Sequence, residues 1–158
     1  MLLAIKQFFE EKLSVNPQHA TQQDDKRIEL ATAALMFELM RTDSRIDERE
    51  RQALTKLLSE TFDLDKTSLQ ELLNMAEIAA SEATSLFEFT SLINESYSYD
   101  QRVRLIENLW RVAFADQKLD RYEEHMIRNV SDLIYVKHSD FIRTKLQVRE
   151  ALQGASEG

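Results

Sequence analysis

The chain has 158 residues, 43% hydrophobic and 30% charged, with a net charge of −8, two glycines, one proline and no cysteine. This is the size of one domain with a real core, in a globular rather than a disordered balance. It excludes a disulfide framework, a thiolate metal site and a cysteine nucleophile. The acidic balance and the lack of any Lys/Arg run argue against a duplex nucleic-acid face.

Both glycines, Gly154 and Gly158, stand at the C-terminal end. A β-sandwich or barrel needs turn residues at short intervals, and a nucleotide-binding α/β fold needs a glycine-rich turn; neither is present. What remains is an all-α chain, a compact bundle of about seven to eight helices joined by short polar turns. No apolar stretch approaches the roughly 20 residues of a membrane span, so the chain reads as soluble and cytoplasmic.

In chain order, Met1 to Leu13 has apolar residues at helical spacing (Leu2, Ile5, Phe9, Leu13), broken by Lys6, Glu10, Glu11 and Lys12. It is not a signal peptide. It predicts a helix docked on the core, with peripheral contact to a membrane or a protein partner as the other use. Ser14 to Gln23, with Pro17, reads as a linker, so residues 1–20 are set apart from a helical domain over 21–152 and a disordered tail over 153–158.

The domain opens with a helix from Thr21 to Arg41, capped by Thr21 with Asp24 third. Its apolar residues (Ile28, Ala31, Ala34, Leu35, Met36, Phe37, Leu39, Met40) cover most of its circumference, which predicts a central, buried helix. Asp47 to Phe62 follows, with Ala53, Leu54, Leu57 and Leu58 facing inward. Next comes Asp65 to Ser81, through Leu69, Leu72, Leu73 and Ala76. Ser85-Leu-Phe-Glu88 has the capping-box pattern and opens a helix to Glu95. Ser98-Tyr-Asp-Gln101 opens another to Ala115. Asp120 to Leu133 and Ser139 to Leu152 complete the set, with Ile134-Tyr-Val136 between them as a turn rather than a strand. Trp110, Phe87, Phe89, Tyr97 and Tyr99 fall at core helix positions.

Two segments repeat. Asp43-x-x-Ile-Asp47-x-x-Glu50 and Asp116-x-x-Leu-Asp120-x-x-Glu123 are separated by a constant 73 residues, and Leu54 with Ile127 and Leu57 with Val130 keep that offset. This predicts a pseudo-symmetric bundle of two helix–acidic turn–helix halves. The run from Ala33 to Lys145 resembles the TerB-like tellurite-resistance domain, found also at the N-terminus of some membrane-anchored J-domain co-chaperones. The resemblance rests on Ala33-Ala-Leu followed by Arg41, Asp43, Ile46 and Asp47; on Phe87-Glu-Phe89; on Leu109-Trp-x-Val-Ala-x-Ala-Asp116; and on Leu119-Asp-x-x-Glu-Glu-x-x-Ile127. It implies an all-helical domain of bacterial stress and tellurite responses, without an enzymatic reaction, whose acidic turns hold a metal ion. The chain departs from the family at Ser44 and Gln117, where glycine is usual.

The residues themselves leave two readings of the turns. Asp47 with Glu50 and Asp120 with Glu123 are cap pairs that need no ligand. Asp43 and Asp116 are surplus, each near the negative end of the preceding helix, where a hard cation such as Ca²⁺ or Mg²⁺ is the natural complement. Arg41, Arg45 and Lys118 are the competing ion-pair partners. The loops are not EF-hands, since the third ligand, the glycine and the bidentate glutamate are missing. His19, His125 and His138 stand apart from one another as solvated residues. No Ser/His/Asp order, HExxH or phosphate loop is present. The expected function is a non-enzymatic module that binds a divalent cation or a basic protein partner. Behind it stand a purely structural scaffold and then a carboxylate metal-dependent hydrolase.

Overall fold

Helices are the only regular structure among the described residues. The computed structural model describes residues 10–11, 22–40, 48–62, 64–79, 85–115 and 121–157. Seven helices follow in order: α1 (Gln22–Met40), α2 (Glu48–Phe62), α3 (Lys66–Ala79), α4 (Ser85–Ser96), α5 (Tyr99–Ala115), α6 (Arg121–Leu133) and α7 (His138–Glu157). The all-α expectation holds. No described helix is long and apolar enough to cross a membrane. Of the N-terminal segment only Glu10 and Glu11 are described, and the Glu11 carbonyl accepts a bond from Arg27 Nη1 (3.1 Å). The expected helix over Met1–Leu13 and the linker otherwise lie outside the described residues.

Helix α1 is central because, past its polar first turns, its sequence is apolar nearly all round. Every residue from Ala31 to Met36 is buried, and the helix packs chiefly against α3 and α5. Helix α5 is the second centre. It buries Val103, Leu105, Ile106, Leu109, Trp110, Val112 and Ala113 on more than one side, with α7, α1 and α2 packed against it. By contrast α6 is amphipathic, burying Ile127 and Val130 while His125, Arg128, Asn129 and Asp132 face water.

Two contacts give the relative sense of the central helices. Near their middles, Asn108 Nδ2 donates to Thr32 Oγ1 (3.4 Å), and the Thr32 hydroxyl is itself satisfied by the Ile28 carbonyl (2.8 Å). At their starts, Asp24 and Arg27 act electrostatically on the buried phenol of Tyr97, two residues before α5. Start is matched with start and middle with middle, so α1 and α5 run in broadly the same sense.

Caps close the helices where propensity alone would let them fray. Ser98 and Gln101 form a reciprocal capping box at α5: Gln101 N–H donates to Ser98 Oγ (3.2 Å) and Ser98 N–H donates to Gln101 Oε1 (2.9 Å). Ser98→Ala should therefore lower stability by about 1 kcal/mol in chemical denaturation; no loss would mean the box is incidental. Asp65 caps α3, accepting from Ser68 N–H (2.8 Å) and Ser68 Oγ (3.1 Å). Neither α2 nor α6 has a basic residue in its last turn, so neighbouring helices supply donors to their final carbonyls. Lys26 Nζ reaches Phe62 O (2.8 Å) and Arg111 Nη2 reaches Thr61 O (3.4 Å). At α6, Asn94 Nδ2 reaches Leu133 O (2.9 Å) and Arg102 Nη1 reaches Ile134 O (2.8 Å).

The apolar triplet after α6 is a turn, as expected. Val136 N–H bonds to Ser131 O (2.9 Å) and Tyr135 N–H to Asp132 O (3.2 Å), the two bonds of a Schellman cap. Its left-handed position, with φ of 57°, is occupied by Tyr135. Ile134 and Val136 are buried on either side, which drives the tyrosine ring outward.

Three expectations need correction. Phe87 is 65% exposed and not in the core, although Phe89, Tyr97 and Trp110 are buried and Tyr99 is half-buried. Ala53 is exposed rather than inward-facing, while Leu57 and Leu58 do pack inward. The last helix runs on to Glu157, past Leu152, so most of the expected 153–158 tail continues α7.

Candidate functional site

The acidic turns are framed by helices whose ends are described. Helix α2 starts at Glu48 and α6 at Arg121. Asp47 and Asp120 are thus each one residue ahead of a helix, and Glu50 and Glu123 are each its third residue. This is the register of a capping box, the same in both halves. The residues Asp43, Asp47, Asp116 and Asp120, and the side chains of Glu50 and Glu123, lie outside the described residues; so do Arg41, Arg45, Lys118 and His19.

Asp65 gives an observed example of the capping chemistry in this chain. Its carboxyl is held below the usual carboxylate range, first by the Ser68 backbone amide and then by the Ser68 hydroxyl. An aspartate ahead of a helix is thereby fully used without an ion. Beside Glu123, Glu124 pairs with Lys145 of α7 at 2.7 Å. That hydrogen bond is the main reason its carboxyl is held low. Lys145 Nζ also lies 5.6 Å from the Trp110 ring centre. Among the described residues no three His, Cys, Asp or Glu side chains gather as a metal-binding group, and His125 and His138 are exposed.

A family model described as Tellurite resistance protein TerB matches residues 29–146. The chain belongs to the TerB family. No curated protein and no solved structure matches it. The match runs from Glu29 in α1 to Leu146 in α7, so it takes in both acidic turns and the whole bundle between them.

A second polar cluster went unread in the sequence. At the α6–α7 corner, Tyr99 Oη donates to Asp140 Oδ2 (2.5 Å) and accepts from Lys137 N–H (3.0 Å). Arg143 binds the other oxygen of Asp140 through Nη2 (3.0 Å) and Nε (3.2 Å). Arg102 and Lys137 lie 5.4 and 5.9 Å from the Tyr99 ring centre. The Asp140 carboxyl is pulled below its usual range, first by the tyrosine hydroxyl and then by Arg143. Burial, then the bond to Asp140, pushes the Tyr99 phenol up. Tyr99 and Asp140 are 41 residues apart, and no local motif joins them, so only the packing of α7 along α5 reveals the pair.

Proposed function

We propose that this TerB-family chain is a non-enzymatic binding module that holds a divalent cation, Ca²⁺ or Mg²⁺, on its two acidic turns. Asp43, Asp47 and Glu50 would serve from one half and Asp116, Asp120 and Glu123 from the other. The observation that carries this reading is the surplus of Asp43 and Asp116 over the capping pairs, repeated at the same offset of 73 residues. Helices α1 and α5 end at Met40 and Ala115, and neither has a basic residue in its last turn. A carboxylate just beyond such an end meets the negative pole of the helix dipole, and a cation relieves both. The common sense of α1 and α5 supports the two turns converging at one end of the bundle. The donor set is all oxygen, which suits a hard cation and excludes a soft one.

The test is thermal stability with and without millimolar Ca²⁺ or Mg²⁺ at matched ionic strength, because eight net negative charges respond to any salt. An ion selective for the native state stabilises it by RT ln(1 + [L]/Kd). The rise in Tm should shrink in Asp43→Asn and Asp116→Asn, neither of which stands at a capping position. Equal responses in wild type and both variants, or a response no larger than sodium gives, would leave the turns as caps of a scaffold. Saturable capture of a basic peptide without any ion response would point to a basic protein partner instead.

A further inference from the structure

We infer that the α6–α7 corner is a docking surface for an acidic segment of a partner protein, with Tyr135 as its central anchor. The first ground is conformational. Tyr135 sits at φ 57° in the left-handed region, where glycine or asparagine closes a Schellman cap without steric cost. The side chain returns little to its own fold, since the residue is 73% exposed. A strained backbone position that presents an aromatic ring to water is accounted for by what the ring meets there.

The second ground is rigidity. The turn is held from three directions: Asn94 of α4 on Leu133 O, Arg102 of α5 on Ile134 O, and Tyr99 of α5 on both Lys137 N–H and Asp140. A braced turn holds the backbone that carries the ring before binding, so only the side chain is left to order on association. The third ground is charge. In a chain of net charge −8, this corner gathers Arg102, Lys137 and Arg143, with Arg128 against the Phe141 ring at 5.5 Å. With Arg143 set against Asp140 and Arg128 against Glu124, Arg102 and Lys137 are left facing Asp132 alone. Lys137 and His138, two and three residues on from Tyr135, are exposed. A segment carrying Asp or Glu around one apolar residue complements this surface. The inference is independent of the acidic turns.

The experiment pans the full chain against a random-peptide display library. Recovered peptides are then measured by fluorescence anisotropy on wild type, Tyr135→Gly and Lys137→Glu. Peptides rich in Asp and Glu should emerge, binding at least tenfold more weakly to either variant and more weakly as salt rises. Tyr135→Gly should meanwhile melt above wild type, because glycine suits the left-handed position; lost binding then cannot be blamed on lost folding. Recovered peptides that are neutral or basic, affinities indifferent to both substitutions, or no Tyr135-dependent peptide at all would overturn the inference. So would a concentration-dependent dimer, or binding to anionic vesicles, that Tyr135→Gly abolishes, since the occupant would then be a second copy or a lipid surface.

Discussion

Replacing Trp110 by alanine should lower the unfolding free energy by about 3–5 kcal/mol, the range for truncating a buried large aromatic. The indole is 0% exposed. It stacks on Phe114 with ring centres 5.7 Å apart, meets Phe141 of α7 at 5.1 Å, and carries Lys145 5.6 Å from its centre. Its removal would uncouple α5 from α7, the most extensive helix pair in the bundle. Since a domain of this size is stable by about 5–15 kcal/mol, one such change should remove at least about a fifth of that and lower the denaturation midpoint in proportion. Trp110→Phe should behave differently. The indole Nε1 is buried with no hydrogen-bond partner among the described residues, and an orphaned donor costs about 1–3 kcal/mol. Phenylalanine removes that donor along with some volume, so the net loss should be no more than about 2 kcal/mol. Urea denaturation at unchanged m-value measures both. If phenylalanine proves as costly as alanine, the indole N–H is satisfied after all, by a bound water for example.

The bundle was legible in the sequence because its helices carry their own signals. Ile28, Ala31, Leu35 and their neighbours encircle α1, and only a helix surrounded by others can hide them all. Ser98 and Gln101 announce the start of α5 by chemistry that is complete within four residues. Periodicity misplaces residues whose burial depends on a neighbouring element. Phe87 stands two positions before Phe89, about 200° around the helix, so the face that buries Phe89, Leu92 and Ile93 turns Phe87 outward. Leu152 follows Val148 at the right spacing yet is exposed, because burial along α7 ends at Val148. Gly154 lies within α7, where a glycine costs only about 1 kcal/mol and does not end a helix alone. The acidic turns were visible as a repeat in the sequence, since three acids and three apolar positions recur at a fixed distance. The corner of Tyr99, Arg102, Lys137 and Asp140 was not, because no pattern along the chain pairs α5 with α7.

Alkaline unfolding should be governed by Tyr97. This residue is 4% exposed at the bend between α4 and α5. Burial is the main cause that pushes its phenol above the ordinary tyrosine range; nearby Arg27 opposes the shift and Asp24 adds to it. In the unfolded chain the phenol releases its proton near pH 10, whereas in the folded chain it stays protonated through that range. The unfolded state therefore binds fewer protons above pH 10, and deprotonation draws the equilibrium toward unfolding. The stability tied to the neutral phenol is fully present below about pH 10. Above it, each pH unit should remove about 1.4 kcal/mol until the folded phenol itself ionises. Two units would thus remove about as much as a sizeable core truncation. Tyr99, also shifted upward, should add a smaller contribution in the same direction. The decisive measurement is urea stability from pH 8 to about 12 in wild type and in Tyr97→Phe, with tyrosinate absorbance followed in parallel. Tyr97→Phe should begin about 1 kcal/mol less stable at neutral pH, from the loss of a hydrogen-bonding hydroxyl. It should then decline far less steeply, so that the two curves cross in the alkaline range. Parallel curves would mean that the phenol of Tyr97 reaches water before the bundle opens, and that the contacts between the starts of α1 and α5 are looser than their geometry indicates.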